Sequence, residues 1–311
     1  MKRDKEGRLI VDDYEKLDDY IIGRKKKIWL SKDGKKYLFK GGSTNYEIYA
    51  ELISYELAKQ CGFKCAFYDL AILDGTTGVI TPSFLKKGDI IISGEQYLNN
   101  TRSIAMQNNL KMTFKENSIE NILNAIAIQE GNAEDIAEIV LFRLLELWCF
   151  DLAIMESDRN STNWSLIRSF KGNISLAPIY DCSTMCMMNN DVESIVTNLS
   201  LSRDMNTFYN LIDSIKYSLK INNSSSENLY EDFAFICNAF PNEIEEILYR
   251  MGNIDVLKAI DNIETRINNE TPDGKFEYPR YVSYWLNKAI TARLETMNSI
   301  FKKTRQKGYT R

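Results

Sequence analysis

Histidine is absent from all 311 residues of the chain. Mechanisms that use a histidine base, including Ser-His-Asp hydrolysis, are therefore excluded, and so is a zinc site of mixed cysteine and histidine ligands. The six cysteines show no paired CxxC spacing, which argues against an all-cysteine zinc site. Several lie among apolar residues, as Cys149 does between Trp148 and Phe150. We therefore expect free, buried thiols in a reducing compartment.

The chain also lacks a run of about 18 apolar residues, so the sequence predicts no membrane-spanning segment. Its first residues are charged and contain no apolar stretch of the kind found in secretory signals. These two absences predict a cytoplasmic protein. With a net charge of −4 and a pI near 5.3, there is no general attraction to nucleic acid or to an anionic membrane. We read the basic runs at 24–27 and 302–305 as solvated surface.

The first third of the sequence is rich in strand patterns. An Asp33-Gly34 turn separates two apolar runs at 27–30 and 36–40, which predicts a hairpin. A helix is predicted from Tyr46 to Gln60, with Gly62 in the position of a C-terminal cap. Two further strands are predicted at 66–73 and 78–82, around the Asp74-Gly75 turn. Two strands, one helix and two strands is the order of a kinase-type N-lobe.

The rest of the sequence is mostly helical in pattern. A helix predicted at 133–155 is apolar on two faces, which is typical of a central, buried helix. Short strands follow at 164–168 and 173–177, and further helices are predicted at 229–239, 242–250, 254–268 and 282–304. The pattern predicts an α+β fold class, with a β-rich first part that contains one helix and a mostly helical remainder.

Three polar residues follow the predicted central helix in a telling order. Asp158 and Asn163 are five positions apart in the loop after it, and Asp181 comes at the end of the next hairpin. Phosphoryl transfer from ATP uses one carboxylate to orient the attacking hydroxyl, and an amide and a second carboxylate to hold Mg²⁺. Any one of these residues alone is more commonly a turn cap. All three in this order predict a catalytic loop and a metal-binding Asp.

Upstream residues complete the pattern. Lys40 ends an apolar strand and can reach the phosphates of a nucleotide, although an edge-strand charge is the ordinary alternative. Glu51 and Glu47 lie one turn apart on the next helix, and either could pair with Lys40. The phosphate loop is weakly marked, because the stretch 22–27 contains one glycine, Gly23, where three are usual. The stretch precedes a strand, and its cations could help to hold phosphates. We include Gly23 among the nucleotide-binding candidates by position.

These residues resemble the HipA-like serine/threonine kinase family, in particular its compact branch with the Helicobacter cell-translocating kinase. The resemblance runs from about Lys27 to the C-terminal helices. It rests on residues 37–40 ending in Lys40, on Glu51 eleven positions before Gly62, and on 79–85, which is similar to the linker between lobes. The strongest matches are Asp158-Arg159-Asn160-Ser161-Thr162-Asn163 and Leu176-Ala177-Pro178-Ile179-Tyr180-Asp181.

The resemblance implies an ATP- and Mg²⁺-dependent serine/threonine protein kinase with a two-lobed, protein-kinase-like fold. The small β-rich N-lobe, with one helix, would lie at 1–85 and the larger, mostly helical C-lobe at 86–311. By position, Lys40 would contact the phosphates, Glu51 would position Lys40, and Phe84 and Leu85 would lie against adenine. Asp158 would be the catalytic base, and Asn163 and Asp181 would hold Mg²⁺. The implied partners are a protein substrate with a Ser or Thr hydroxyl and an antitoxin-type protein, since some relatives are toxins paired with a DNA-binding antitoxin. No direct contact with nucleic acid is expected.

The sequence departs from the family in three ways. Asn160 stands where a histidine is common, so any role of a charged histidine is lost. The full-length toxins carry an additional N-terminal subdomain, for which this chain leaves no room. No serine lies between Ile22 and Leu30, so self-inactivation by phosphorylation of that loop is not carried over.

Two other readings remain open at this point: a lipid or small-molecule kinase on the same scaffold, and a pseudokinase that acts as an interaction module. The residues 182–206, which follow Asp181, occupy the place of an activation segment and could choose the substrate through Met185, Met187 and Met188. Ordinary packing of these methionines is the alternative, which we favour.

Overall fold

The computed structural model describes residues 2–18, 27–110, 117–131, 134–202, 205–222, 228–271 and 274–308. The chain forms two compact units, each assembled from three stretches. The first unit contains Met1–Phe84, Tyr180–Phe208 and Asn253–Ile290. The second contains Leu85–Ile179, Tyr209–Gly252 and Thr291–Arg311. The division of the chain into lobes at 1–85 and 86–311 stays a prediction.

The first unit is built on one sheet. Its strands are β1 (Leu9–Ile10), β2 (Glu15–Leu17), β3 (Lys27–Lys32), β4 (Lys35–Gly41), β5 (Asp69–Leu73) and β6 (Thr76–Pro82). They lie in the order β1-β5-β6-β4-β3-β2, with β1 parallel to β5 and the other pairs antiparallel. The predicted β3–β4 hairpin is confirmed. Its turn, Asp33-Gly34, and the turn between β5 and β6, Asp74-Gly75, each have both residues at positive φ, as tight turns require.

Alternation along β4 sends successive side chains to opposite faces of the sheet. Phe39 is fully buried in an apolar cluster on one face. That cluster also contains Leu9, Val11, Tyr14, Leu30, Ala71, Leu73 and Ile80. Lys40, the next residue, therefore belongs to the other face, and only 7% of it is exposed. The apolar cluster holds the strand so that this lysine is kept inside the unit.

Helix α1 (Asn45–Gln60) follows β4 directly. Thr44 caps its N-terminus by accepting a hydrogen bond from the backbone N–H of Glu47, and Gly62 follows its C-terminus at φ 69°. The predicted helix 46–60 is thus confirmed to within one residue. Helix α1 packs against β5, β6 and a later helix of the same unit, α9 (Val256–Asn269).

The N-terminal residues are tied into the first unit by Arg3. Its guanidinium lies 2.7 Å from the carboxylate of Asp69 on β5 and 2.8 Å from that of Glu270, which follows α9. Only 2% of the Arg3 side chain is exposed. Arg266 of α9 lies 3.0 Å from the other oxygen of Asp69, so two arginines share this one carboxylate.

The second unit is mostly helical. Its sheet has the order β7-β8-β9, from β7 (Ile90–Ser93), β8 (Ser165–Arg168) and β9 (Ile174–Leu176). Its helices include α2 (Gly94–Gln107), α3 (Ile119–Glu130), α4 (Glu134–Ile154), α7 (Leu229–Ala239) and α8 (Pro241–Met251). Helix α5 (Val192–Ser202) belongs to the first unit, and the other helices are α6 (Met205–Asp213) and α10 (Arg280–Gly308).

Helix α4 is the central helix that its two apolar faces predict, but only in its C-terminal half. Every side chain from Leu144 to Ile154 is buried, whereas Ile139 is 61% exposed. The helix packs against α3, α8 and β9 and ends immediately before the loop that contains Asp158. No helix in the part of the chain that the structure describes is long and apolar enough to cross a membrane.

The described residues of the stretch 182–206 include regular structure. The stretch contains a short 3₁₀ turn at Met185–Met187 and helix α5, and α6 begins at Met205. Met185 and Met188 are fully buried, and the indole N–H of Trp285 donates to the backbone oxygen of Cys186 at 2.6 Å. These methionines therefore pack inside the first unit, which is the alternative that the sequence analysis favoured.

Candidate active-site residues

Lys40 and Glu51 form a buried ion pair in the first unit. The ammonium of Lys40 contacts Oε1 of Glu51, and the two side chains are 8% and 1% exposed. The other oxygen of Glu51, Oε2, accepts a hydrogen bond from the backbone N–H of Cys182 at 3.1 Å. Glu51 thus connects strand β4 to the backbone just after Asp181. Of the two predicted partners of Lys40, the structure selects Glu51; Glu47 accepts a hydrogen bond from the backbone N–H of Ser43 at 2.9 Å.

Asp181 belongs to the same cluster. Its backbone has φ 57°, a left-handed conformation that aspartate tolerates better than most residues. Its N–H donates to the hydroxyl of Tyr68 at 3.2 Å. Its carboxylate holds two ammonium groups, Lys40 on Oδ1 and Lys27 on Oδ2, the second at 3.1 Å. Strand β3 supplies Lys27, β4 supplies Lys40, and the chain after β9 supplies Asp181.

The charges of this cluster stabilise one another. Burial by itself would lower the pKa of Lys40, but the carboxylates of Glu51 and Asp181 outweigh it and raise that pKa above its ordinary value. Burial would likewise raise the pKa of Asp181, yet Lys40 and Lys27 hold it well below the usual range. Lys40 and Asp181 are therefore both charged at neutral pH. Burial, followed by these carboxylates, raises the pKa of Tyr68 well above its usual value, so its hydroxyl keeps its proton.

The second unit holds the predicted catalytic loop, in which Asp158 and Asn163 lie together. The amide of Asn163 donates from Nδ2 to the backbone oxygen of Asp158 at 2.7 Å and to its Oδ2 at 3.2 Å. Because the amide nitrogen is used in this way, its Oδ1 is the atom that could bind a metal. The carboxylate of Asp158 is exposed, and its backbone N–H donates to the buried Glu156 at 2.8 Å.

Asn160, in the position where a histidine is common, contacts Asp158 directly. Its Nδ2 donates to Oδ1 of Asp158 at 2.8 Å, and its Oδ1 accepts hydrogen bonds from the backbone N–H and the hydroxyl of Thr162. An amide here orients the carboxylate without adding a positive charge. The two oxygens of Asp158 are thus each contacted by an asparagine, Asn160 on Oδ1 and Asn163 on Oδ2.

Arg159 connects the catalytic loop to helix α4. Its side chain is 1% exposed, and its Nε and Nη2 donate to the two oxygens of Asp151 on α4, each at 2.9 Å. Its Nη1 donates to the backbone oxygen of Asn163 at 2.7 Å. Asn117 adds a further link, since its amide donates to the backbone oxygens of Arg159 and Ser218. Through Arg159, the backbone of the loop at Arg159 and at Asn163 is therefore held to the buried half of α4.

The remaining predicted residues fall in different places. Phe84, at the end of the first unit, stacks on Tyr180 with ring centroids 6.4 Å apart and planes inclined by 27°. Both rings are half-buried, and Leu85 begins the second unit. Gly23 lies outside the described residues. The role of Phe84 and Leu85 against adenine stays a prediction.

Some residues of the two clusters were not predicted from the sequence. Lys27 was read as part of a basic surface run and as one of several cations of 22–27 that could help to hold phosphates, but its contact with Asp181 was not predicted. Tyr68 lies in the predicted strand 66–73, directly before the observed β5, and has no polar motif around it. Asp151 and Arg159 are eight positions apart, one on the helix and one in the loop, so helical spacing alone does not pair them. A charged residue within the apolar run 144–154 was the available signal for Asp151.

The oxygen donors of these clusters fit Mg²⁺, which prefers carboxylate and amide oxygens and keeps other positions for water and substrate phosphates. In the first unit Asp181 offers a carboxylate, and in the second unit Asn163 offers an amide. Among the described residues, no group of three or more His, Cys, Asp or Glu side chains could hold a metal alone. The buried ammonium of Lys40 suits phosphate oxygens, to which lysine binds as a point charge.

The fold of the chain is similar to that of proteins of known structure. The crystal structure of a Helicobacter pylori proinflammatory kinase, CtkA, is similar over 97% of this chain and 99% of its own, with 16% identity and a TM-score of 0.73. HipA of Shewanella oneidensis MR-1, solved with HipB and operator DNA, is similar over 94% of this chain and 67% of its own, with 14% identity and a TM-score of 0.57. No curated protein sequence matches the chain.

These structures confirm the predicted fold class: an α+β, protein-kinase-like fold with a β-rich N-lobe and a mostly helical C-lobe. The sequence profile described as the HipA-like C-terminal domain matches residues 19–251, which is most of the chain. The resemblance seen in the catalytic loop and around Asp181 is therefore confirmed at the level of the family. The chain belongs to the HipA-like C-terminal domain family.

Proposed function

We propose that this chain is an ATP- and Mg²⁺-dependent serine/threonine protein kinase of HipA-like type. The observation that carries the proposal is the buried cluster of Lys40, Glu51 and Asp181, in which a strand lysine contacts a helix glutamate and a loop aspartate. Burying such charges is costly unless they are paired, so a chain selected for stability alone has little reason to keep them. A nucleotide kinase needs each of them.

The residue roles follow from the chemistry of each group. Lys40 neutralises phosphate oxygens of ATP, and Glu51 holds Lys40 in place. Asp181 and Oδ1 of Asn163 hold Mg²⁺, which when bound neutralises the negative charge of the phosphates. Asp158 orients the substrate hydroxyl and accepts its proton, while Asn160 and Asn163 fix the carboxylate that does so. The hydroxyl oxygen forms the new bond to the γ-phosphorus, and ADP leaves with the electrons of the broken P–O bond.

A protein substrate with a Ser or Thr hydroxyl is the proposed acceptor. The matched HipA structure contains HipB and operator DNA, so an antitoxin-type protein is a proposed partner of this chain as well. Phe84 and Leu85 are proposed to lie against adenine, and Gly23 to contact the phosphates. The exposure of the Asp158 carboxylate supports an acceptor that approaches from solvent.

Transfer of labelled γ-phosphate from Mg-ATP tests the proposal. We expect label on the protein itself or on a band in a lysate of its host, and no label with Asp158→Ala. Asp261→Ala, which removes an exposed carboxylate from α9, serves as the matched control and should transfer label like the unchanged protein.

The alternatives predict other outcomes. Nucleotide binding without any transfer, seen as a rise in melting temperature with Mg-ATP, would identify a pseudokinase that acts as an interaction module. Label found only in a lipid extract or on a small molecule would identify a lipid or small-molecule kinase on the same scaffold. Absence of both binding and transfer would rule out the kinase proposal.

A further inference from the structure

Each carboxylate oxygen of Asp181 carries an ammonium group. Lys40 contacts Oδ1 and Lys27 contacts Oδ2, the latter at 3.1 Å. The pair is sheltered, since the side chains of Lys27 and Asp181 are 19% and 14% exposed. Both oxygens of a proposed Mg²⁺ ligand are thus occupied by cations of the protein itself.

The position of Lys27 is set by the sheet. Lys27 and Lys40 are directly opposite each other in the β3–β4 pairing. Like charges in such a position repel each other and weaken the strand pair. Asp181 compensates for this repulsion, because its carboxylate lies against both ammonium groups. The two lysines and the two carboxylates of Glu51 and Asp181 sum to zero charge.

The neutral charge of this cluster affects the order in which a metal ion and a nucleotide can bind to it. A free divalent cation would have to displace Lys27 from Oδ2 of Asp181, or Lys40 from Oδ1, which would leave Lys40 with Glu51 as its carboxylate partner. A nucleotide changes this balance, because its phosphates offer both ammonium groups new partners and release the carboxylate. Metal and nucleotide should therefore bind together, and the metal alone should bind weakly.

We propose that Lys27 is a second phosphate-binding residue, and that its ion pair with Asp181 keeps Mg²⁺ from binding before the nucleotide. The inference rests on the proposed function for the identity of the ligands. It adds a residue from β3 to the phosphate contacts and assigns that residue a second task in the ligand-free protein. Removing Lys27 should raise the affinity for the metal alone and lower the affinity for the nucleotide. A purely structural role of Lys27 does not predict these opposite changes.

Lys32 provides the matched control. It lies on the same strand and forms an ion pair of similar length, 2.8 Å, with Asp13. That pair is much more exposed, at 37% and 68%, and has no connection with Asp181. Exposed pairs of this kind contribute little. Lys32→Met therefore removes a strand lysine and its ion pair with Asp13 without affecting the proposed ligands.

The first arm of the test measures metal binding without nucleotide. Mn²⁺ serves as the probe for the Mg²⁺ site, and free Mn²⁺ is counted by electron paramagnetic resonance. We expect Lys27→Met to bind Mn²⁺ about tenfold more tightly than the unchanged protein, because the cluster then carries one uncompensated negative charge. Lys32→Met should match the unchanged protein, and Lys27→Arg should restore weak binding.

The second arm measures nucleotide binding by calorimetry with a non-hydrolysable Mg-ATP analogue and with adenosine. We expect Lys27→Met to bind the analogue about tenfold to a hundredfold more weakly, since one charge-assisted contact is lost. Adenosine, which has no phosphates, should bind equally to both proteins. Lys27→Gln is the second variant should Lys27→Met fail to fold.

The outcomes are distinguishable. Unchanged Mn²⁺ affinity together with unchanged analogue affinity would overturn the inference and leave the proposed function intact. Weaker binding of adenosine and analogue alike would mean that Lys27 has only a structural role, and would also overturn it. Failure of the unchanged protein to bind the Mg-ATP analogue would overturn both the inference and the proposed function.

Discussion

Arg159 and Asp151 form a two-point ion pair inside the second unit, with Nε and Nη2 of the arginine each 2.9 Å from a carboxylate oxygen. The same guanidinium donates its Nη1 to the backbone oxygen of Asn163. One buried arginine thus joins helix α4 to the residue proposed to bind the metal. The pair fixes the backbone of the catalytic loop and takes no direct part in the chemistry.

Replacing Arg159 with methionine should be severely destabilising. Removing one partner of a buried pair leaves the other charge uncompensated, at a cost of about 3–5 kcal/mol. The double variant Asp151→Leu, Arg159→Met should recover much of this loss, because no buried charge remains. Urea denaturation of the two variants and the unchanged protein measures the difference. Equal loss in the single and double variants would show that packing, and not charge, dominates.

The Arg159→Met variant should also respond to pH. Burial raises the pKa of Asp151, and Arg159 opposes this rise. Without the arginine the pKa of folded Asp151 rises further, so the folded protein binds more protons than the unfolded chain does. The stability that the variant loses relative to the unchanged protein should therefore be smallest at about pH 4 and below, and should grow as the pH rises towards neutrality. Denaturation curves at several pH values, each compared with the unchanged protein, measure this slope.

Glu51 and Glu47 offer a matched pair of substitutions on helix α1. Glu51→Gln removes the charge that holds Lys40 and weakens the contact with the backbone of Cys182. We expect kcat to fall about a hundredfold, as for other displacements of a positioning group. Glu47→Gln, one turn earlier, should change kcat by much less. A steady-state phosphorylation assay compares them, and a larger effect at Glu47 would contradict the assignment.

Substitutions of Asn160 test how the Asp158 carboxylate is oriented. Asn160→Ala removes a donor to Oδ1 and should lower kcat about tenfold, the scale of one hydrogen bond to a charged group. Asn160→Asp should be worse, because it places a second negative charge beside Asp158. The expected order of kcat is asparagine, alanine, aspartate. An aspartate variant that is as active as the unchanged protein would show that this contact does not matter.

The cysteines should differ sharply in reactivity. Cys61, Cys149, Cys182, Cys186 and Cys237 are buried, and only Cys65 is partly exposed. Burial raises the pKa of Cys237 to about 12 and that of Cys149 well above its usual value, so neither forms much thiolate near pH 8. Brief treatment with iodoacetamide should label Cys65 first, and mass spectrometry identifies the site. Cys65→Ser should abolish this early labelling.

The sequence was most informative where local patterns decide the structure. The Asp33-Gly34 turn, the span of α1 and the apolar run of α4 were all readable, because each depends on neighbouring residues. The order of Asp158, Asn163 and Asp181 was also visible. It was the family resemblance, together with this order, that gave the fold class.

Long-range pairings were not readable. Strand β1 pairs with β5, some sixty positions away, and is too short to give a periodic signal. Helices α2 and α5 contain many polar residues, so their amphipathic pattern is weak. Lys27 and Tyr68 reach Asp181 from 154 and 113 positions away, which no spacing rule connects. The choice of Glu51 over Glu47 was likewise decided by tertiary packing.

The parallel pairing of β1 with β5 also bears on self-association. Because β1 is the outermost strand on its side of the sheet, it shields β5, whose residues 69–73 include the apolar run Leu70-Ala71-Ile72-Leu73. Trimming the chain beyond residue 10 would remove this cover, together with the Arg3 contacts to Asp69 and Glu270. An uncovered apolar edge can recruit strands from other molecules and lead to amyloid-like aggregation. By covering the edge of β5, strand β1 should therefore protect the protein from polymerisation.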